Sequence, residues 1–288
     1  MKITLLGTGT PIPSLKRSSS GYLVEAGKDV ILLDHGPGAF QRLMQAGKRA
    51  QDVTHLFLSH LHFDHCGDLP RLIHHQWDAV GGLRPRFKIY GPPGTQEMVE
   101  GLFGPSGVYH RDLTARTTHP VSLRIFKSRG GGDKRPWIDT AVTEIRDGAE
   151  VNGDGWSLQA LEVIHHQPYL DSLGFRITAG GKVFAYTSDV KLSGKQGPVK
   201  SLYKLAKDAD LLVHYLNGFD FEVSEPGTLT RQQVAAVLAR DAGVKTLVTT
   251  HHGPSIDRDG TRERVIADLA AIFPGRLVWG QDLMTFEL

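Results

Sequence analysis

The chain has almost no cysteine. Cys66 is the only one in 288 residues, so no intramolecular disulfide can form and a stapled secreted scaffold is excluded. A long hydrophobic run is missing as well: nothing approaches the roughly 18 apolar residues that a membrane-spanning helix needs. Residues 1–7 form a short apolar stretch with one Lys that leads straight into Thr8-Gly9-Thr10-Pro11. They have neither the length nor the cleavage site of a secretory signal and read as a first β-strand, which makes a cytoplasmic protein without a membrane partner the default expectation. Charge bias is the third absence. With 33 basic against 31 acidic residues the formal charge is only +2, whereas a protein built to grip a phosphate backbone normally carries a stronger basic excess. No fixed-period repeat occurs, which excludes solenoids and propellers.

Histidine, by contrast, is abundant: 14 residues, beside 33 glycines. A chain that is 40% hydrophobic and 22% charged lies in the ordinary globular range. Apolar and β-branched runs bounded by Gly, Pro or Asp predict strands over 2–6, 22–25, 30–33, 53–58, 87–90, 157–164, 174–178, 183–186, 211–214 and 246–249. Apolar spacing near 3.6 predicts helices over 38–45, 69–80, 95–103, 198–207, 230–242 and 262–273. Thr230 and Gln233 form a capping-box pattern at the start of one of them. Strands with interspersed helices point to an α/β sandwich with helices outside, in one domain spanning residues 1–288. Residues 127–136 contain Gly130-Gly131-Gly132 and four basic residues, and read as a mobile surface loop.

The strand predicted over 53–58 runs into Ser59-His60-Leu61-His62-Phe63-Asp64-His65-Cys66-Gly67. Three histidines and an aspartate within six residues form a concentrated metal-ligating group. In extended backbone His60 and His62 point the same way; a turn after them lets Asp64 and His65 face a second metal beside the first. Imidazole and carboxylate ligands without thiolate suit zinc, with manganese or iron as alternatives. Cys66 is expected to pack as a small apolar residue behind this loop.

The pattern His60-x-His62-x-Asp64-His65 resembles the signature of the metallo-β-lactamase superfamily, and the likeness extends over nearly the whole chain. Leu5-Leu6-Gly7-Thr8-Gly9-Thr10-Pro11 resembles the opening strand and loop of the branch that holds transfer-RNA 3′-processing endonucleases and arylsulfatase-like enzymes. Leu32-Leu33-Asp34-His35-Gly36 resembles its buried aspartate turn, which makes Asp34 a candidate brace for the metal loop. The resemblance implies a four-layer αββα sandwich, two mixed β-sheets flanked by helices, with two zinc ions per chain. It also implies further ligands. One histidine of the His165-His166 pair would complete the first metal; strand alternation alone leaves the choice open, and the spacing to Gly174-Phe175-Arg176 favours His166. Asp189, at the end of Ala185-Tyr186-Thr187-Ser188, would bridge both metals, and His251 rather than His252 would complete the second.

That arrangement implies a hydrolase in which a metal-bridging hydroxide attacks an electrophilic centre. Asp64 and His252 are the catalytic candidates among the site residues, His252 as a proton donor beside a ligand. His35, His214 and Tyr215 are weaker candidates for that role. Substrates consistent with the family are small esters, lactones, phosphodiesters and sulfates, with a transfer-RNA 3′-endonuclease as the alternative. Three departures weigh against the endonuclease. Tyr215 follows Leu211-Leu212-Val213-His214 where those enzymes carry a glutamate. No histidine occurs at Gly227-Thr228-Leu229, where their later catalytic histidine would fall. Only 22 residues separate His166 from Asp189, too few for their basic RNA-clamping arm, and the basic 127–136 segment lies in another interval. The expectation is therefore a small-molecule substrate, with nucleic acid disfavoured and a homodimer anticipated from the family. Lys16 and Arg17 stand as candidates for contact with an anionic substrate, and Trp77, Trp137 and Trp156 for an apolar wall.

Overall fold

In a computed structural model that describes residues 1–80, 87–192, 197–220, 222 and 228–288, two sheets of seven strands each face one another among the described residues. The first runs in the order β14 (Thr285–Glu287), β1 (Lys2–Gly7), β2 (Gly21–Ala26), β3 (Asp29–His35), β4 (His55–Phe57), β5 (Lys88–Gly91) and β6 (Ala141–Glu144). The second runs β13 (Arg276–Trp279), β12 (Thr246–Thr250), β11 (Leu211–Tyr215), β10 (Lys182–Tyr186), β9 (Leu173–Ala179), β8 (Trp156–Glu162) and β7 (Glu150–Asn152). Both sheets are mixed: β1–β3 and β7–β10 pair antiparallel, whereas β3–β6 and β10–β13 run parallel.

Strand alternation builds the layers. Along β3, Ile31 and Leu33 face the core between the sheets, while Leu32 faces the opposite side. On β10, Phe184 and Tyr186 point inward and Ala185 outward; on β11, Leu211 and Val213 point inward and Leu212 outward. The outward rows are covered by helices. Those of the first sheet pack against α1 (Ala39–Gln45), α3 (Leu69–Val80), α4 (Thr95–Phe103) and α5 (His110–Thr118). Those of the second pack against α7 (Lys200–Ala206), α8 (Arg231–Asp241) and α9 (Thr261–Ala270). The result is the four-layer αββα sandwich. Thr230 caps α8 as its pattern predicts: Gln233 N–H donates to Thr230 Oγ1 at 3.3 Å and Thr230 N–H to Gln233 Oε1 at 2.9 Å.

One segment departs from its reading. Residues 127 and 128 close α6 (Pro120–Ser128), and the stretch that follows is tied down rather than free. Arg135 is buried, its guanidinium 3.7 Å from the centre of the Trp77 ring and 2.6 Å from Asp78 Oδ1. Helix α5 escapes the periodicity reading because its apolar positions are few, and α6 because Val121 and Ile125 among its apolar residues are exposed, so tertiary contact helps hold them. Among the described residues no helix is long and apolar enough to cross a membrane.

The core also contains two histidines without charge. Burial, with the Arg71 charge added, pushes the His35 imidazole down to about 3, and burial outweighs a backbone hydrogen bond to push His214 down to about 4. In the unfolded chain each would titrate near 6.5. Below that pH the unfolded state takes up protons that the folded state refuses. Their neutral burial is therefore free of penalty above about pH 6.5, and stability falls towards pH 4 by about 1.4 kcal/mol per pH unit for each group. Thermal unfolding followed from about pH 7.5 to about 4.5 should show a falling Tm. Neither nitrogen of His35 has a hydrogen-bond partner, so His35→Met should fold and show a shallower decline; an identical slope would refute the assignment.

Candidate metal centre

The parallel halves of the two sheets end at one edge, where open α/β sheets hold their ligands. After β4 the chain carries His60 and His62, then α2 (Phe63–Cys66) with Asp64 and His65. Asp189 follows β10 and His251 follows β12. Three residues here adopt the left-handed backbone region: Asp34 at φ 56°, Ser188 at φ 56° and His251 at φ 61°. Such backbone costs an ordinary side chain of order 1–3 kcal/mol, and it turns the chain abruptly where each strand meets the cleft. Gly36 is required for a different reason: a Cβ there would lie 1.9 Å from the carbonyl oxygen of Asp64 and would push the metal loop away.

Two clusters of donor atoms result, each with all members within 4.8 Å of one another. The first joins His60, His62 and His165; the second joins Asp64, His65, Asp189 and His251. In the first, His62 Nδ1 lies 3.0 Å from His60 Nε2 and 3.3 Å from His165 Nε2. In the second, His251 Nε2 lies 3.2 Å from both Asp64 Oδ2 and Asp189 Oδ2, and His65 Nε2 lies 3.3 Å from Asp189 Oδ1. Asp189 also reaches towards the first cluster, its Oδ2 being 3.8 Å from His165 Nε2.

The reading of His166 is corrected here. Strand β8 ends at Glu162, so the alternation that left the pair open no longer governs residues 165 and 166. The chain turns instead, with His165 N–H donating to Gln167 Oε1 at 2.7 Å and the Gln167 amide returning to the Val163 carbonyl at 2.8 Å. That turn aims His165 Nε2 at His62, while the His166 ring stacks on that of His165 at 4.1 Å and stands edge-on to His62 at 5.0 Å without placing a donor atom in the cluster. His166 instead lines an open pocket of about 420 Å³ with His165, Lys191, Tyr215, Asn217 and Arg231. His252 is corrected too. Its ring stacks on Trp279 at 3.8 Å, its Nε2 meets Thr249 Oγ1 at 3.1 Å, and it is buried away from the cleft, so it is not at hand to donate a proton there.

Asp34 lies behind the second cluster. Its fully buried Oδ2 accepts from His65 Nδ1 at 2.7 Å, Ser59 Oγ at 2.8 Å and Tyr186 OH at 2.7 Å, and its Oδ1 accepts from Ser59 N–H at 2.7 Å. Holding the proton of His65 on Nδ1 leaves Nε2 free to bind a cation. Ser188 Oγ donates to Ser59 Oγ at 2.7 Å, and Ser59 Oγ lies 3.0 Å from His60 Nδ1, which extends the same control to the first cluster. The roles of Ser59, Ser188 and Tyr186 escape sequence reasoning, since each sits beside a motif residue without a pattern of its own. Asp34→Asn is expected to weaken metal affinity by about 10–100-fold, read by competition with a chelator. Unchanged affinity would show that Asp34 only packs.

The residues present fit a pair of cations. Burial would raise the Asp189 carboxyl, but the facing His251 and His65 imidazoles hold it well below the ordinary carboxylate range. Burial alone would lower His65, yet Asp189 and Asp34 hold it well above its usual value. A field that so favours a proton on His65 equally favours a metal ion. Burial keeps His60 well below its ordinary value and brings His165 to about 4, so both offer neutral imidazole lone pairs. Buried His65 Nε2 and Asp189 Oδ1 have no hydrogen-bond partner, although buried polar atoms normally find one. Ligands about 2.0–2.2 Å from a tetrahedral ion lie roughly 3.3–3.6 Å apart, and the separations above, from 3.0 to 3.8 Å, bracket that spacing.

Other candidates fall elsewhere. Arg17 is buried and fully engaged, bound through Nε to Asp257 Oδ2 at 2.9 Å and through a terminal nitrogen to Thr8 Oγ1 and the Gly280 carbonyl, both at 2.6 Å. Trp77 and Trp156 are core residues, and Trp137 Nε1 donates to the Phe103 carbonyl at 2.7 Å. Cys66 packs behind the loop, its thiol pushed up to about 12 by burial. Tyr215 stands 4.8 Å from the His251 ring, and burial pushes its phenol up to about 12, so it keeps its proton at neutral pH.

A family model described as a beta-lactamase superfamily domain matches residues 29–252. The chain belongs to the metallo-β-lactamase superfamily. It is a metal-dependent hydrolase of that superfamily, and its relatives locate the branch. A ribonuclease Z of Mycobacterium avium (strain 104) is 34% identical over 293 residues, covering 98% of this chain and 96% of its own length. One from Mycobacterium bovis (strain BCG / Pasteur 1173P2) is 33% identical, covering 100% and 98%. Among solved structures, the metallo-beta-lactamase fold protein YhfI of Bacillus subtilis superposes with a TM-score of 0.74 at 20% identity, covering 100% of this chain and 99% of its own. The short form of human tRNase Z gives 0.64 at 22%, with 100% and 99% covered; at these identities both show the superfamily's fold alone. The expectation of a small-molecule substrate, with nucleic acid disfavoured, is overturned by the full-length relatives, which are ribonucleases. The misleading signals were the three departures at Tyr215, at residues 227–229 and in the short interval before Asp189, with near-neutral bulk charge, which averages over the surface, beside them.

Proposed function

We propose that the protein is an endonuclease that hydrolyses a phosphodiester bond in RNA, acting in 3′ processing of transfer RNA. The observation that carries this reading is the likeness to ribonuclease Z over 98% of the chain at 34% identity, combined with two donor clusters that share Asp189. His60, His62 and His165 would hold one divalent ion, Asp64, His65 and His251 the other, and Asp189 both, with zinc the first choice for nitrogen and oxygen ligands. Such ions supply Lewis acidity at phosphorus and lower the pKa of water.

The chain's own residues supply orientation and protons. Asp34 and Ser59 fix the ring faces of His65 and His60. Lys191, on the wall of the 420 Å³ pocket beside the donors, offers positive charge to phosphates flanking the scissile one; Arg231 on the same wall is paired with Asp220 at 2.9 Å. Tyr215 replaces the glutamate of the endonuclease pattern, and Thr228 lies where a histidine is expected; Gly227 is outside the described residues. The proton for the leaving oxygen must then come from another group, and Tyr215, protonated and with its ring 4.8 Å from that of His251, is placed to give it.

The test is cleavage of a 3′-extended transfer-RNA transcript by the zinc-loaded protein, run beside bis-p-nitrophenyl phosphate. A single cut near the 3′ end of the mature domain is the expected result. Turnover of the small diester with no cut in the RNA would refute the reading.

A further inference from the structure

We infer that α5, α6 and the loop behind them form a second RNA-binding surface, apart from the metal centre, that grips the phosphate backbone. The inference rests on the RNA reading above. Between residues 108 and 136 the sequence holds seven Lys or Arg against two Asp, while the whole chain holds 33 basic against 31 acidic residues. The rest of the molecule is therefore net acidic, and the basic excess is concentrated in one tenth of the chain.

The structure sorts these cations into two kinds. Arg116, Arg129 and Arg135 converge on Asp78 of α3, at 3.5, 2.9 and 2.6 Å, and Lys127 pairs with Asp133 at 2.7 Å. These contacts, with Arg135 laid over Trp77, fasten the hairpin and its loop to α3. Arg111, Arg124 and Lys134 are exposed and make no ion pair with a described residue. Three like charges left uncompensated on a fastened surface add self-repulsion and nothing to folding. Their positions on a pinned scaffold suit a ligand with repeating negative charge, because little ordering entropy remains to be lost on binding.

The location fits a long ligand. Helix α3 begins three residues after Cys66, at the end of the metal loop, and Asp78 stands nine residues further along it. At 1.5 Å per residue the cluster lies about 14 Å from the start of that helix, beyond the reach of any single nucleotide at the metals and within reach of an RNA stem. Exposed charges act over about 8 Å at physiological salt, so the contact must be direct. Val121 and Ile125, exposed one turn apart on α6, offer a competing occupant: a second copy of the chain.

The test uses the full-length zinc-loaded protein and the triple variant Arg111→Gln, Arg124→Gln, Lys134→Gln. For the extended transfer-RNA transcript we expect KM to rise roughly tenfold or more with kcat unchanged, and the slope of log affinity against log salt to fall by about 2–3. Turnover of bis-p-nitrophenyl phosphate should not move. The charge-preserving set Arg111→Lys, Arg124→Lys, Lys134→Arg should restore KM, which a folding defect would not allow. RNA cleavage with unaltered KM and salt slope would overturn the inference and leave the function reading intact. So would a variant that changes only its oligomeric state in sedimentation, which would assign the face to self-association. RNA bound by the parent and not by the variant, with neither cutting it, would keep this surface and sink the function reading.

Discussion

Asp189→Ala should strip the protein of its normal metal content and lower turnover of the RNA substrate by roughly 10³-fold or more. The size follows from the several kcal/mol of charge stabilisation that metal ions contribute, at about 1.36 kcal/mol per tenfold in rate. The Asp189 carboxylate reaches both donor clusters: Oδ1 is 3.3 Å from His65 Nε2, and Oδ2 is 3.2 Å from His251 Nε2 and 3.8 Å from His165 Nε2. Without it Asp64 would be the only carboxylate left among the donor atoms of the two clusters. Emission spectroscopy of the purified variant gives the metal count, and circular dichroism checks that the fold survives. Asp189→Asn separates charge from shape, since it keeps the outline and removes the anion; it should lose nearly as much as the alanine variant. Wild-type metal content and turnover in both variants would refute the assignment of Asp189.

The two-sheet fold and most of the donor set were legible because local rules and global structure agree there. Alternating apolar residues on β3, β10 and β11 fill both faces of each sheet, so their pattern survives into the structure. His60, His62, Asp64 and His65 are contiguous in sequence, and a short loop leaves them few ways to point. Asp34 was readable as a brace because Leu32-Leu33-Asp34-His35-Gly36 resembles the family's aspartate turn, and Gly36 proves to be where a Cβ would lie 1.9 Å from the metal loop.

What escaped was set by tertiary contact. Periodicity carried no sign that Arg135 would bury itself against Trp77 and Asp78, so a glycine-rich basic stretch read as mobile. Adjacent His251 and His252 look alike on paper; the left-handed backbone at His251 sends one ring to Asp64 and the other to Trp279. Substrate class failed because the departures at Tyr215, at residues 227–229 and in the interval before Asp189 were weighed against RNA, and because bulk charge gave no counterweight. Net charge is a sum over the whole chain, while recognition depends on where the charges stand. A surplus of five on one helical hairpin is invisible in a total of +2.

The same ambiguity between neighbours supplies the second large effect. His165→Ala should reduce bound metal by about one ion per chain and remove most RNA cleavage, whereas His166→Ala should keep full metal content. His165 Nε2 stands 3.3 Å from His62 Nδ1 and its ring centre 5.1 Å from that of His60, whereas His166 has no donor atom in either cluster. Loss of a direct ligand should exceed the 10–100-fold affinity cost typical of an outer partner. His166 lines the pocket beside the donors, so its removal should act on substrate, raising KM a few-fold with the metal still in place. The pair of variants thus separates two readouts that a single substitution would confound. If His166→Ala loses the metal and His165→Ala keeps it, the turn at residues 163–168 must rearrange when the ion binds, and the ligand order implied by spacing in the sequence would be right after all.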